Sequence, residues 1–331
     1  MTDSPVMTTT KPAEPSASKN TKKNPLSDGQ GALAGLLISP TMLVIALVVG
    51  FPILFSLRES LFRGSSGVDP NTGIVQSGDQ FVGLANFTDI FTNPQTIIGV
   101  WGSMDRLINA FLNTTFFTVV CVAAETIIGV AMAIIMSKAF RGRGLVRAAI
   151  LVPWAIPTIV SAKMWALIFD ANGVANKLLG QNILWLADNS YSQWAVIVAD
   201  VWKTAPFIGL LTLAGLQTIP DEVYEAARVD GATTWQTFWK LIFPLLAPMS
   251  ATVGIFAFLY AWNDFMMPSL IISDPAMQTL PVRQNLFQNQ FSNNYNVSFA
   301  SYLMAMAPAI VAYLFTQRWV MEGVTQGAVK G

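Results

Sequence analysis

The 331-residue sequence contains no histidine, a single cysteine and few charged residues. The missing histidine excludes imidazole catalysis and histidine ligation of metals. The single cysteine, Cys121, excludes an intrachain disulfide and any cluster of cysteine metal ligands. The sequence also lacks the G-x-x-x-x-G-K-[ST] phosphate-binding loop, so ATP hydrolysis by that motif is excluded.

Apolar residues dominate the composition of the chain. Hydrophobic residues are 53% of the chain and charged residues 11%, a composition typical of a membrane protein. A formal net charge of zero favours neither a nucleic-acid-binding protein nor a polybasic membrane-surface protein. We predict an all-α membrane protein whose six spans lie near 31–57, 108–136, 145–169, 192–217, 243–272 and 298–321.

The polar segments divide the chain further. Residues 1–30 are rich in Pro, Ser, Thr and Lys and predict a disordered tail. The alternative of a signal peptide is disfavoured, because the apolar run 31–57 is longer than an h-region and lacks an A-x-A site. Residues 58–107 form a long polar segment, and 108–322 form the transmembrane core with the loop 218–242. Residues 323–331 form a second polar tail.

The distribution of lysine and arginine predicts the orientation. Twelve of them fall in the N-terminal tail, the loops 137–147 and 218–242 and the C-terminal tail, against five on the opposite side of the spans. The richer side faces the cytoplasm, so both termini and the loop 218–242 are predicted to be cytoplasmic. The segment 58–107 is then extracytoplasmic.

The loop 218–242 contains signals for two short helices. Thr218 and Asp221 fit a capping box that would start the first helix, and Gly231 provides a left-handed stop. A second helix is predicted to start near Thr233 or Thr234. Its face of Trp235, Phe238, Trp239 and Ile242 suits a bilayer interface or the cytoplasmic ends of the spans.

This loop also carries a family motif. The stretch "IPDEVYEAARVDGATTWQTFWKLIFPLLAP" resembles the EAA loop of type I ABC importer permeases, with Leu241 and Pro244 on the I/L-x-x-P end of that pattern. The resemblance implies a coupling helix that docks on a cytoplasmic ATPase. The implied coupling residues are Glu225, Ala226, Ala227, Asp230 and Gly231.

The resemblance extends over most of the chain. The stretches "FVGLANFTDIF" and "RGRGLVRAAILVPWAIPTIV" are similar to the first permease of maltose- and trehalose-type sugar importers, whereas "QRWVMEGVTQGAVKG" is closer to the second permease. The implied partners are a different second permease, a cytoplasmic ATPase dimer and an extracytoplasmic sugar-binding protein. The chain needs no cofactor of its own, because ATP and Mg²⁺ would be bound by the ATPase subunits.

Polar residues inside spans are candidates for a solute site, because they are costly there. Asp200 and Asp264 are each about eight residues, or roughly 12 Å along a helix, from the outer ends of their spans, so they could share one cavity. Thr204 and Phe207 follow Asp200 on the same helical face. Resemblance also matches these four residues to sugar-contacting positions, although the family often has Asn where this chain has Asp.

The other ionisable residues in the spans could be solute ligands or could have a purely structural role. Lys203 could form an ion pair with Asp200 on its own helix, and Lys163 could extend toward the outer surface. Glu125 is expected to be a packing or hydrogen-bonding group rather than a ligand.

The sequence therefore predicts a permease subunit of an ATP-driven importer in the bacterial inner membrane, and not an enzyme. Its solute would be a di- or oligosaccharide such as trehalose or maltose. Three alternatives are an ion- or proton-coupled secondary transporter, an ABC permease for a solute such as glycerol phosphate, and a membrane glycosyltransferase.

Overall fold

The computed structural model describes residues 25–68, 75–92, 104–285, 288–289, 292–293 and 295–328. The predicted tail therefore lies outside the described residues as far as position 24, and Pro25–Gln30 already belong to the first helix. Residues 69–74 and 93–103 of the predicted extracytoplasmic segment and residues 329–331 of the second polar tail also lie outside.

Helices dominate the described residues. The helices are α1 (Pro25–Ile45), α2 (Phe51–Leu61), α3 (Ala85–Thr92), α4 (Met104–Ser137), α5 (Arg143–Ala155), α6 (Thr158–Ile168), α7 (Val174–Leu179), α8 (Asn189–Leu216), α9 (Asp221–Val229), α10 (Thr234–Thr237), α11 (Phe243–Leu245), α12 (Ala247–Trp262), α13 (Met266–Ile271), α14 (Leu280–Asn285) and α15 (Tyr295–Ala328). Turns of π-helix at Ala46–Gly50 and Phe238–Ile242 join α1 to α2 and α10 to α11, and a 3₁₀ turn covers Pro275–Met277.

The described residues up to Phe55 form one unit, and the described residues from Ser56 onward form the other. In the first unit, α1 and its continuation carry large apolar side chains that are exposed along their length, as contact with lipid acyl chains requires. This exposure agrees with a membrane-spanning helix.

Four helical stretches are long and apolar enough to cross a membrane: Leu33–Leu61, Asn109–Ser137, Asn189–Leu216 and Tyr295–Met321. Two bent pairs qualify as well, Arg143–Ala155 with Thr158–Ile168 and Thr234–Leu245 with Ala247–Ile271. Counting each pair as one span gives the six spans that the sequence predicts. The predicted third span is therefore a broken helix.

Helix α8 is the centre of the second unit and packs most extensively on α4. The two backbones approach closely because Gly129 of α4 faces Gly209 of α8. A Cβ atom on Gly129 would lie 2.8 Å from Cγ2 of Ile208 and 3.0 Å from the Gly209 nitrogen. Small residues allow this approach in a membrane, where van der Waals packing drives helix association.

The polar segment after α2 has structure of its own. Strands β1 (Phe62–Val68) and β2 (Val75–Phe81) form an antiparallel hairpin in which Phe62 pairs with Phe81. The side chain of Asn86 in α3 donates to the Ser60 and Phe62 carbonyl oxygens over 2.8 and 2.7 Å. A second hairpin pairs β3 (Gln288–Asn289) with β4 (Ser292–Asn293), so two small sheets accompany the helical architecture.

Candidate functional site

The first helix of the loop 218–242 is α9, which ends as the sequence predicts. Gly231 has a φ of 74°, in the left-handed region that favours glycine. Its N–H donates to the Arg228 carbonyl over 3.1 Å, and the Ala232 N–H donates to the Ala227 carbonyl over 2.9 Å. These two bonds are a Schellman motif, so Gly231 both stops α9 and turns the chain.

The start of α9 differs from the prediction. The Thr218 hydroxyl donates to the Gly215 carbonyl over 2.8 Å, and Pro220 at the N-cap makes no side-chain capping bond. The predicted start at Thr218 is therefore wrong, because the N-cap of α9 is Pro220, two residues later. The second predicted start is confirmed: Thr233 and Gln236 form a reciprocal capping box at α10.

Helix α9 presents a mixed outer surface. Glu225, Ala226 and Asp230 are exposed and Val229 is 88% exposed, whereas Ala227 is buried. The two alanines of the motif thus face different surroundings, one internal and one free for a partner. Burial, followed by the nearby Asp221 carboxylate, raises the pKa of Tyr224 on the same helix. Its phenol therefore keeps its proton near neutral pH.

A cavity of about 240 Å³ lies between the central helices. Its lining comes from Glu125 of α4, Trp154 of α5, Thr204, Phe207 and Ile208 of α8, and Phe256, Ala257 and Tyr260 of α12. Trp154 stacks on Phe207 with 5.3 Å between the ring centroids and 11° between the planes. Aromatic rings thus supply much of the wall, and the rings of Trp154, Phe256 and Tyr260 are also exposed at the chain's surface.

The cavity wall includes a carboxyl and a hydroxyl in direct contact. Glu125 is 1% exposed, and its Oε1 is hydrogen-bonded to the Thr204 hydroxyl. The same hydroxyl contacts the Asp200 carbonyl oxygen at 2.7 Å, one turn back along α8. A hydroxyl has a single proton, so it donates to one of these oxygens at a time. The pair therefore offers donor and acceptor positions that a hydroxylated ligand can exchange with.

The structure brings two of the four predicted solute residues to this cavity. Thr204 and Phe207 line it, whereas Asp200 and Asp264 do not. Asp200 is fully buried beside the Cys121 thiol, and no N–H or O–H group of the described residues donates to its carboxyl oxygens. Asp264 is close enough to Asp200 to interact with it electrostatically.

Asp264 has a local structural role. Its Oδ1 accepts the backbone N–H groups of Met266 over 3.0 Å and Met267 over 3.4 Å, at the start of α13. The carboxylate therefore caps α13, the short helix that follows the end of α12 at Trp262. Its Oδ2 is buried without a hydrogen-bond partner among the described residues.

The two lysines differ in environment. Lys203 is buried, and of the two interpretations left open the ion pair with Asp200 is not formed: the Lys203 ammonium donates to the Ile156 carbonyl over 2.5 Å. The ion pair fails because the end of α5 offers an acceptor to the lysine. Lys163 on α6 is exposed, so it can extend away from the helices.

Sequence reasoning missed most of the cavity wall. Glu125 was expected to be a packing or hydrogen-bonding group, and it does form a hydrogen bond, but it also lines the cavity. An acidic residue in an apolar span was the available signal for it. Trp154, Phe256 and Tyr260 carried no distinguishing signal, because aromatic residues in spans serve mostly in packing.

Comparison with known proteins identifies the family. The family model described as "Binding-protein-dependent transport system inner membrane component" matches residues 125–326, more than half of the chain. The trehalose/maltose transport system permease protein MalF of Thermococcus litoralis is 35% identical over 225 residues, covering 66% of this chain and 70% of that protein. The trehalose transport system permease protein SugA of Mycobacterium tuberculosis is 30% identical over 287 residues, covering 86% and 87%.

A solved structure supports the same fold. A bacterial alginate ABC transporter, in complex with an alginate pentasaccharide-bound periplasmic protein, matches with a TM-score of 0.69 over 88% of this chain and 94% of the matched chain. The identity is 18%, so this likeness concerns the fold alone. The chain thus belongs to the family of binding-protein-dependent transport system inner membrane components and is a multi-pass permease subunit of an ABC importer.

Proposed function

We propose that this permease carries a neutral di- or oligosaccharide of the trehalose or maltose type, and that the cavity between α4, α5, α8 and α12 is part of the solute path. The observation that carries this proposal is the combination of stacked aromatic rings with the Glu125 and Thr204 pair. Sugars present C–H faces that pack on rings and hydroxyls that need partners once dehydrated.

The charge of the lining disfavours a phosphorylated solute. Among the residues described, the cavity lining contains no lysine or arginine and has one carboxyl group, that of Glu125. A phosphate ester would need cationic or multiple N–H donors at this position. The names of the two relatives, which refer to trehalose and maltose, support a neutral sugar as well.

We infer that a second, different permease completes the path. At about 240 Å³, the cavity is smaller than the roughly 300–1,000 Å³ of typical small-ligand sites. Its aromatic rings at the chain surface would be covered by a neighbouring subunit. Asp200 and Asp264 remain in this proposal as solute residues that the path reaches when the helices rearrange. Asp200 lies one turn before Thr204 on α8, and both residues have buried carboxyl oxygens without a hydrogen-bond partner among the described residues.

The ATPase and the sugar-binding protein are assigned to opposite ends of α8. We propose that the exposed surface of α9, with Glu225, Ala226, Asp230 and Gly231 in its motif, docks on a cytoplasmic ATPase dimer that binds ATP and Mg²⁺. Ala227 supports α9 from the inside. A sugar-binding protein would deliver solute at the opposite end, and both termini would be cytoplasmic.

The test is solute uptake by the reconstituted complex. The permease and ATPase that co-purify with this chain are identified first, and the three proteins are then co-expressed, reconstituted into vesicles and supplied with the binding protein. We expect ATP-dependent accumulation of labelled trehalose or maltose and no accumulation of glycerol 3-phosphate. Accumulation of glycerol 3-phosphate alone would contradict the sugar assignment. ATP-independent uptake driven by an ion gradient would contradict the whole transport mechanism.

Family membership removes two alternatives that the sequence left open. A binding-protein-dependent importer is not an ion-coupled secondary transporter, and its permease is not an enzyme such as a glycosyltransferase.

A further inference from the structure

Helices α5 and α6 meet at a bend of 90°. Ile156 and Pro157 between them are both extended, with ψ angles of 134° and 137°. Because α5 ends here and Pro157 has no N–H, the carbonyl groups at this end lack their usual helical donors. Pro157 itself is satisfied, since its carbonyl accepts the Val160 and Ser161 N–H groups at 3.0 Å.

Lys203 of α8 supplies a donor at this break. Its side chain is 4% exposed, and Nζ donates to the Ile156 carbonyl over 2.5 Å. The ion pairs found among the described residues involve Arg58 and Arg63, and Lys203 takes part in none of them. A cation next to the last carbonyls of a helix is also favoured by the helix dipole.

A second contact from the same face of α8 reaches the same helix end. Phe207, one turn after Lys203, stacks on Trp154, two residues before Ile156. Trp154 and Phe207 both line the cavity. Two neighbouring positions of α8 therefore hold the end of α5. Lys203 contacts its backbone at Ile156, and Phe207 contacts its Trp154 side chain.

We propose that Lys203 is a positioning residue: by holding the Ile156 carbonyl it maintains the bend between α5 and α6 and keeps Trp154 against Phe207 in the cavity wall. Lys203 acts on the helix break and not on the solute. The consequence for transport rests on the proposed function, whereas the consequence for the bend does not.

Three variants separate hydrogen bonding from charge. Lys203→Arg keeps both the cation and the donors, Lys203→Gln keeps an N–H donor without the charge, and Lys203→Met keeps only the apolar length. If Lys203 holds the carbonyl, the Gln variant behaves like the Arg variant. If its role is to neutralise Asp200 and Asp264, the Gln variant fails with the Met variant. Lys163→Met makes the same change at an exposed lysine of α6 and is the matched control.

The bend is measured by double electron–electron resonance spectroscopy between two spin labels in the intact complex. Spin labels replace Leu145 on α5 and Leu167 on α6, which are 78% and 73% exposed, in a Cys121→Ala background. We expect the same narrow distance distribution in the unaltered chain and in the Arg, Gln and Lys163→Met variants, and a broadened or shifted distribution in Lys203→Met. An unchanged distribution in Lys203→Met overturns the proposal, as does a Gln variant that loses the bend or fails to assemble.

Uptake connects the bend to the cavity. With labelled trehalose as the probe, we expect Lys203→Met to raise the half-saturation concentration about tenfold, equivalent to about 1.4 kcal/mol, with assembly retained. Combining it with Trp154→Ala should add little, because both changes remove the same ring from the wall. Fully additive effects would contradict action through Trp154. An unaltered complex that transports neither trehalose nor maltose would contradict the sugar assignment and leave the distance result standing.

Discussion

At the scale of single residues, the Thr204 hydroxyl is held in the cavity by two hydrogen-bond contacts. It lies between the Glu125 carboxyl and the Asp200 carbonyl, and these oxygens compete for its single proton. Bonding back to the carbonyl four residues earlier is common for threonine in helices, so only the Glu125 contact is specific to the site. Removing the hydroxyl leaves a buried carboxyl with one partner fewer.

We therefore predict that Thr204→Val lowers sugar uptake by about tenfold, because the change removes a solute-facing hydroxyl and leaves the buried Glu125 carboxyl without this partner, a loss of about 1–3 kcal/mol. Thr126→Val is the matched control, since Thr126 on α4 makes the same backbone bond, to Val122 at 2.6 Å, but is exposed. The measurement is initial uptake by complexes of equal ATPase content. Equal uptake by the two variants would remove Thr204 from the solute path.

At the scale of helices, the crossing of α4 and α8 is set by two glycines. Gly129 and Gly209 face each other, and the next residue on α8, going toward its N-terminus, is Ile208 of the cavity wall. The atoms that a new Cβ on Gly129 would meet include backbone, which cannot rotate away as a flexible side chain can. Packing at this crossing and the shape of the cavity are thus coupled.

We predict that Gly129→Ala destabilises the complex by about 1–3 kcal/mol, the usual effect of overpacking. Gly254→Ala in α12 is the control, because a Cβ there meets no atom within 4 Å. Thermal unfolding of the purified complexes measures the difference. A melting temperature that falls equally in both variants would mean that the close approach at Gly129 is not responsible.

The coupling helix α9 provides a second prediction at this scale. Val229→Asp or Glu225→Lys should weaken co-purification of the ATPase, since one places a charge on an apolar contact and the other reverses a docking charge. Leu178→Asp in α7 is the control: Leu178 is 82% and Val229 88% exposed, but they lie beyond opposite ends of α8. Loss of the ATPase only in Leu178→Asp would reverse the proposed orientation.

At the scale of the whole molecule, the position of α8 defines two sides. It has 28 residues, or about 42 Å of helix, with α7 before its N-terminus and α9 after its C-terminus. A helix of this length crosses a bilayer once, so the two flanking segments belong on opposite surfaces. The excess of lysine and arginine on the α9 side predicts which surface is cytoplasmic.

Cysteine labelling tests this arrangement in whole cells. In a Cys121→Ala background, Leu178→Cys should react with a membrane-impermeant maleimide, whereas Gln236→Cys should react only after permeabilisation. Both positions are exposed, so the difference reports access and not burial. Labelling of Gln236→Cys in intact cells would contradict the predicted cytoplasmic termini as well as the docking of α9 on an ATPase.

The sequence alone determined the features that depend on neighbouring residues. Apolar runs located the membrane-spanning helices, because each span must satisfy its own backbone and present an apolar surface to lipid. Gly231 predicted the end of one short helix, and Thr233 and Thr234 predicted the start of the next, since such signals act within one turn. The predicted start at Thr218 was wrong, because Thr218 still bonds to the end of α8 and the N-cap of α9 is Pro220.

Only the tertiary structure decided which side chains meet across helices. The similar depths of Asp200 and Asp264 suggested a shared cavity, yet neither residue lines the cavity, whereas Glu125 and Trp154 do. Depth along a helix follows from counting residues, but the direction in which a side chain points into the bundle follows from crossing angles and helix breaks. Lys203 bonds to Ile156, 47 positions away, rather than to Asp200 on its own helix, because the bend after α5 leaves a carbonyl without a helical donor.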